Sequence, residues 1–259
     1  MTVVELKEPE LDVTKSLLVR SDPNQRSGVS AETVPGSKIL MHVMTIAPGQ
    51  TEEPGNDLDT ETAAYILSGR ARVLSGKDFS VGTDVSAGDF YFTPTQLPYV
   101  IHNPYNEPMK LVLAYSLDPS IKNNCIKTNG ADDAREVKVV HKPADTGKTS
   151  QTRGMQRAPA ISAGTVGATQ IWMCYLSVNA GERGQGHHHG EAHTAAYTIS
   201  GKARIHFGPN FEEYIEPEAG DFAFDPPGLA HLVDHPFDGE PWKGVLARCP
   251  ENTVVNFDE

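Results

Sequence analysis

Four histidines fall within seven residues of this chain, His187, His188, His189 and His193, in the run GQGHHHGEAHTAAYTISG. A fifth, His231, follows in DPPGLAH. Neutral imidazole is a good ligand for Zn, Fe, Ni, Cu or Mn and a poor one for Ca or Mg, which want oxygen. Alternate side chains of a strand share a face, so His187 and His189 are expected to point together and His188 away. Gly190 lets the chain bend, which can bring His193 back to the same side, and His231 arrives from a neighbouring strand after a Pro-Pro-Gly turn. The expected ligand set for one divalent transition metal ion per chain (Fe, Mn, Zn or Ni) is therefore His187, His189, His193 and His231. A helical zinc-protease reading fails, because that motif places Glu directly after the first His and Gly190 holds that position here.

The elements that must carry these rings come in duplicate. TAAYILSGRAR at Thr62–Arg72 returns as TAAYTISGKAR at Thr194–Arg204, and AGDFYFTP at Ala87–Pro94 returns as AGDFAFDP at Ala219–Pro226, both 132 residues later. A constant offset over such a span marks two copies of one module. The segments are short, rich in β-branched and aromatic residues and punctuated by Gly, Pro, Asn and Asp, which predicts an all-β fold of sandwiches or barrels. No stretch holds a 3.6-residue apolar period for three turns, so long helices are not expected. The Gly of YILSG and YTISG suits a tight hairpin turn with positive φ. The polar stretch His141–Gln156 reads as a linker or long surface loop. The first module is expected over residues 1–135 and the second over 136–259. Shifting the four histidines back by 132 lands on Gly55, Asp57, Glu61 and Tyr99, so the first copy has lost every imidazole while keeping the scaffold. Histidines needed for folding would be expected in both copies, so they serve a site. Asp57 and Glu61 offer oxygen donors for a weaker cation, but read better as solvated loop carboxylates.

The length of 259 residues allows one large or two small domains. A formal net charge of −12 argues against nucleic acid and anionic membrane surfaces as partners. No apolar run is long enough for a membrane span, and the acidic N-terminus lacks the features of a secretory signal. Cys125, Cys174 and Cys249 form no CxxC pair and no disulfide framework, which fits a reducing, cytoplasmic location. A monomer or a homodimer is expected.

The HxH pair, the YxxxG turn and the Gly220–His231 segment with its PxGxxH ending resemble the two sequence motifs of the cupin superfamily. Gly186–Gly201 and Gly220–His231 carry the resemblance, with a weaker echo at Thr62–Gly69 and Gly88–Pro94. It implies two tandem cupin (jelly-roll) barrels, a bicupin. The family pattern has a Glu seven residues before the hairpin Gly, where this chain has Thr194. Threonine is a poor ligand and a poor base, so His193, beside it, is expected to replace that carboxylate.

Three functions follow for a cupin of this kind. One is a mononuclear metal dioxygenase acting on a small carbonyl, enol or aromatic substrate, which is the leading expectation. Another is a non-redox lyase, cyclase, isomerase or hydrolase. The last is a non-catalytic small-molecule-binding module. With no carboxylate in the ligand set, Glu191, Tyr197 or His206 is expected to move protons. Against that role for His206, the apolar set Ala203, Ile205 and Phe207 is the one expected to face the cavity, with Arg204 and His206 outward. Trp172 reads as core.

Overall fold

A computed structural model describes residues 10–20, 28–54, 58–122, 135–141, 152–250 and 252–257. Strands dominate, and the helices among the described residues are the four-residue turns Pro119–Lys122 and Ala163–Val166 and the 3-10 turn Pro209–Phe211. The all-β expectation therefore holds.

Each copy of the repeat builds two sheets. In the first, a six-stranded sheet runs in the order Lys138–Val140, Phe90–Thr93, Thr62–Ser68, Met109–Ser116, Ile39–Ile46 and Gly28–Val29. It is accompanied by the four-stranded sheet Thr51–Glu52, Tyr99–His102, Arg70–Ser75 and Val81–Ser86. In the second, the six-stranded order is Leu17–Val19, Phe222–Asp225, His193–Ser200, Trp242–Cys249, Trp172–Val178 and Gln156–Ile161. Its companion is Glu213–Ile215, Arg204–Phe207, His231–Asp234, His187–His188 and Val255–Asn256. These are open sheets facing one another in jelly-roll fashion, joined by turns such as Gly201. That residue has φ +77°, and a Cβ there would come within 3.0 Å of the Trp242 Cα, so only glycine fits without displacing backbone.

The halves exchange edge strands. Leu17–Val19, near the start of the first half, pairs antiparallel with Phe222–Asp225 of the second. Lys138–Val140, at the start of the second half, pairs with Phe90–Thr93 of the first. Each exchange covers an edge that would otherwise offer unpaired N–H and C=O groups to another chain. Most of the stretch expected as a linker lies outside the described residues, but its last residue, Gln156, opens a strand.

Three apolar clusters hold the molecule together. One lies inside the first half, around Ile46, Ile66, Tyr91 and Leu111. Another lies inside the second, around Cys174, Leu176, Ala203 and Trp242. The third joins the two six-stranded sheets, with Met41, Phe90 and Val112 packed in one cluster with Met173, Phe222 and Val245. Cys174 and Cys249 are buried free thiols, each pushed up to about 11 by burial. Cys125 lies outside the described residues.

Candidate metal centre

The strand period sorts the second half's side chains between two faces. Along His193–Ser200, the odd positions His193, Ala195 and Tyr197 face the cluster shared by the halves, where Ala195 and Tyr197 are members. The even positions face the interior of the second half, where Ala196 packs. Residues directly paired in an antiparallel ladder share a face. Thr194 pairs with Arg248 on one side and Asp225 on the other, and Arg248 pairs with Trp172. Trp172, Arg248, Thr194 and Asp225 thus form one row across the interior wall. On the facing sheet, His231 pairs with both His187 and Phe207.

Three of the four expected ligands meet here. His187, His189 and His231 are buried, and one nitrogen from each lies within 4.8 Å of the others. Ring centroids are 4.9 Å apart for His187–His189, 4.5 Å for His187–His231 and 4.8 Å for His189–His231. Each ring is fixed at its far nitrogen by a backbone carbonyl. The Nδ1–H groups donate to the carbonyls of Gln185 at 2.9 Å, Thr253 at 3.1 Å and Leu229 at 3.0 Å. A carbonyl only accepts, so the neutral rings carry their proton on Nδ1 and present the Nε2 lone pairs inward. A shared orientation of this kind, set by contacts behind the ring, is how metal-binding histidines are held. Burial, the neighbouring rings and nearby guanidiniums hold His187 down to about 2 and His189 well below the usual range. Both rings are therefore neutral and able to coordinate near pH 7. The donor set fits a divalent transition metal ion.

His193 is not in this group, which corrects the four-histidine expectation. Its odd position turns it to the shared cluster, where the ring packs 6.0 Å from Phe224 and Nδ1 accepts the Lys38 backbone N–H at 3.3 Å. Burial, with Lys38 nearby, holds it down to about 4. It joins the two halves. Gly190, at φ +57°, does bend the chain, but the strand that follows fixes the parity.

The expected proton carriers are also elsewhere. Glu191 is exposed. Tyr197 lies in the shared cluster, 4.9 Å from Phe222, and burial raises its hydroxyl pKa. His206 faces away from Ile205 and Phe207; its Nε2 meets Asp234 at 3.1 Å and its Nδ1 the Phe211 carbonyl at 3.0 Å. That places Arg204 and His206 on the face expected from the apolar alternation.

Two guanidiniums that the sequence reading passed over complete the centre. Arg157 and Arg248 are 1% and 0% exposed, so neither is a surface charge. Arg248 Nη2 lies 3.0 Å from His189 Nε2, and Arg157 Nη2 lies 3.4 Å from His187 Nε2. Arg248 stacks 5.1 Å from the Trp172 ring, and burial holds it down to about 9, still protonated near pH 7. Their signal was present in WKGVLARC and QRAPAI, where an arginine takes the phase of an apolar residue.

The first half carries different residues at the equivalent positions. Tyr99 takes the place of His231 and packs edge-on against Tyr91 at 6.4 Å. The ladder row that reads Trp172, Arg248, Thr194, Asp225 in the second half reads Leu40, Tyr115, Thr62, Thr93 in the first. Gly55 and Asp57 lie outside the described residues. Glu61 is buried, not solvated as expected: its carboxylate accepts the backbone N–H groups of Thr169 and Gln170, a contact between halves.

Comparison with known proteins agrees with this architecture. Residues 42–115 match the model of the cupin domain. An oxalate decarboxylase variant from Bacillus subtilis is similar, with TM-score 0.64 and 20% identity over 89% of this chain and 74% of that one. A formate complex of oxalate decarboxylase from Lactobacillus farciminis gives TM-score 0.64 and 14% identity over 89% and 82% of the two chains. A further oxalate decarboxylase structure, on proton-coupled electron transfer, gives TM-score 0.68 and 17% identity over 96% and 81%. A search of curated protein sequences finds no match.

Proposed function

We propose that this chain, a tandem cupin by fold, is a metal-dependent enzyme acting on a small organic anion, with His187, His189 and His231 holding one divalent transition metal ion. The observation that carries the proposal is the meeting of three inward Nε2 atoms with two fully buried guanidiniums in the interior of the second half. A buried guanidinium is costly unless an anion or a strong acceptor takes its N–H groups. Arg157 already donates to Thr152 Oγ1 and Met155 Sδ, and Arg248 Nη1 to Asn252 Oδ1. An ion bound by the histidines takes the Nε2 lone pairs, which turns the inward Nη2 group of Arg248 toward a carboxylate, the anion a guanidinium matches. When bound, the ion supplies Lewis acidity to a substrate oxygen. Arg157 and Arg248 orient the substrate, and the burial of both guanidiniums and all three imidazoles keeps bulk water from the reacting atoms.

Carbon–carbon lyase chemistry on a carboxylate is the reading this arrangement supports best, and similar folds include oxalate decarboxylases, one studied for its Mn(II) centres. The dioxygenase expected from the sequence is the second reading. It is favoured by the three-imidazole count, which leaves several positions of a six-coordinate ion for substrate and O2. Turnover of a panel of small mono- and dicarboxylates by Mn(II)- and Fe(II)-loaded protein, with oxygen uptake followed, separates the two. Carboxylate cleavage without net O2 consumption is expected, and Arg248→Gln should raise the KM at least tenfold. Turnover of neutral substrates only, unaffected by Arg248→Gln, would overturn the anion reading.

A further inference from the structure

We infer that Asp225 is the oxygen ligand of this metal centre, supplying from the opposite strand the carboxylate that Thr194 lacks. The inference rests on the three-histidine reading above and extends it. Asp225 is the last residue of Phe222–Asp225, is 6% exposed, and lies directly across the ladder from Thr194. Its Oδ1 accepts the Ser16 hydroxyl at 2.5 Å, from the segment that carries the exchanged N-terminal strand. That bond fixes the carboxyl group so that Oδ2 lies 3.7 Å from His231 Nε2.

His231 Nδ1 already donates to the Leu229 carbonyl, so in the neutral ring the Oδ2–Nε2 approach brings together two lone pairs. Two acceptors facing at that distance want a cation between them. Donors about 2.0–2.2 Å from one ion stand roughly 3.0–3.5 Å apart, close to the spacing seen. The Thr194 hydroxyl is buried with no hydrogen-bond partner and is short, leaving the room that a Glu at that position would fill.

Charge points the same way. Three imidazoles and a divalent ion beside two guanidiniums sum to four positive charges among buried side chains. Asp225 is the buried carboxylate aligned in the ladder row with Arg248, and it acts on that guanidinium electrostatically. The repeat provides a control: the first copy, which lacks the imidazoles, has Thr93 facing Thr62 in the same ladder, with no carboxylate.

The test measures Mn(II) affinity by calorimetry and the Mn(II) electron paramagnetic resonance spectrum for the full chain and four variants. Asp225→Asn keeps the shape and the Ser16 contact, and should weaken Mn(II) binding at least tenfold and change the spectrum, with circular dichroism unaltered. Ser16→Ala, which keeps the carboxylate but removes the hydroxyl that fixes it, should weaken binding less than Asp225→Asn does. The double variant Asp225→Ala with Thr194→Glu, which returns the carboxylate from the facing strand, should recover most of the affinity. If Asp225→Asn binds Mn(II) like the parent while His189→Ala loses it, the metal centre stands and Asp225 is not its ligand. If His189→Ala also binds like the parent, the centre itself is wrong and this inference falls with it.

Discussion

At the scale of single residues, burial keeps rings neutral both in the site, at His187, and beside it, at His193 between the halves. His187 is held down to about 2 and His193 to about 4, mainly by burial, against an ordinary value of 6.5. The unfolded chain takes up protons at these positions as pH falls through 6.5, and the folded chain does not. Stability is thus fully present above about pH 6.5 and is lost progressively below it. The limiting slope is about 1.4 kcal/mol per pH unit for each such histidine. For the metal-free protein, the urea midpoint should fall clearly between pH 7.5 and pH 5. A midpoint equal or higher at pH 5 would mean that these rings are accessible and protonated in the folded state. The sequence marked His187, His189 and His231 through type and spacing. It could not mark Arg157, Arg248 or Asp225 as readily, because a single charge in an apolar strand becomes a site only when neighbouring strands align it. His193 failed for the complementary reason: type and spacing matched, but strand parity turned it the other way.

At the scale of elements, the C-terminal segment closes the centre from outside. Val255–Asn256 pairs with His187–His188, and the Thr253 carbonyl anchors His189. Removing residues 253–259 takes away that anchor while leaving the six-stranded sheet intact. Second-layer contacts of this kind are typically worth 10–100-fold in metal affinity. The truncated chain is expected to lose affinity by about that factor, read by competition with a fluorescent chelator, while remaining folded by circular dichroism. Unchanged affinity would show that the His189 ring is oriented by other contacts. The duplicated hairpins were legible because SGR and SGK demand the same positive-φ glycine, Gly69 and Gly201. The exchanged strands were not, since LLV and KVV carry no sign of which sheet edge they will cover. Their destination is set by the unpaired edges at Phe90–Thr93 and Phe222–Asp225.

At the scale of the whole molecule, two copies of one jelly roll have diverged in their interiors while keeping a common scaffold. The first packs Tyr91 against Tyr99 and holds Glu61, one of its two motif carboxylates, against Thr169 and Gln170 of the second half. The second collects three imidazoles around one point, with two guanidiniums against them and the Asp225 carboxylate beside His231. Asymmetry of this kind gives the fold one centre per chain rather than two. The most direct measurement is elemental analysis of untagged protein after equilibration with Mn(II) and removal of loose ions, for the parent chain and His189→Ala. The account predicts about one ion per parent chain and less than a tenth of that in the variant. Equal metal content in both, or two ions per parent chain, would contradict it.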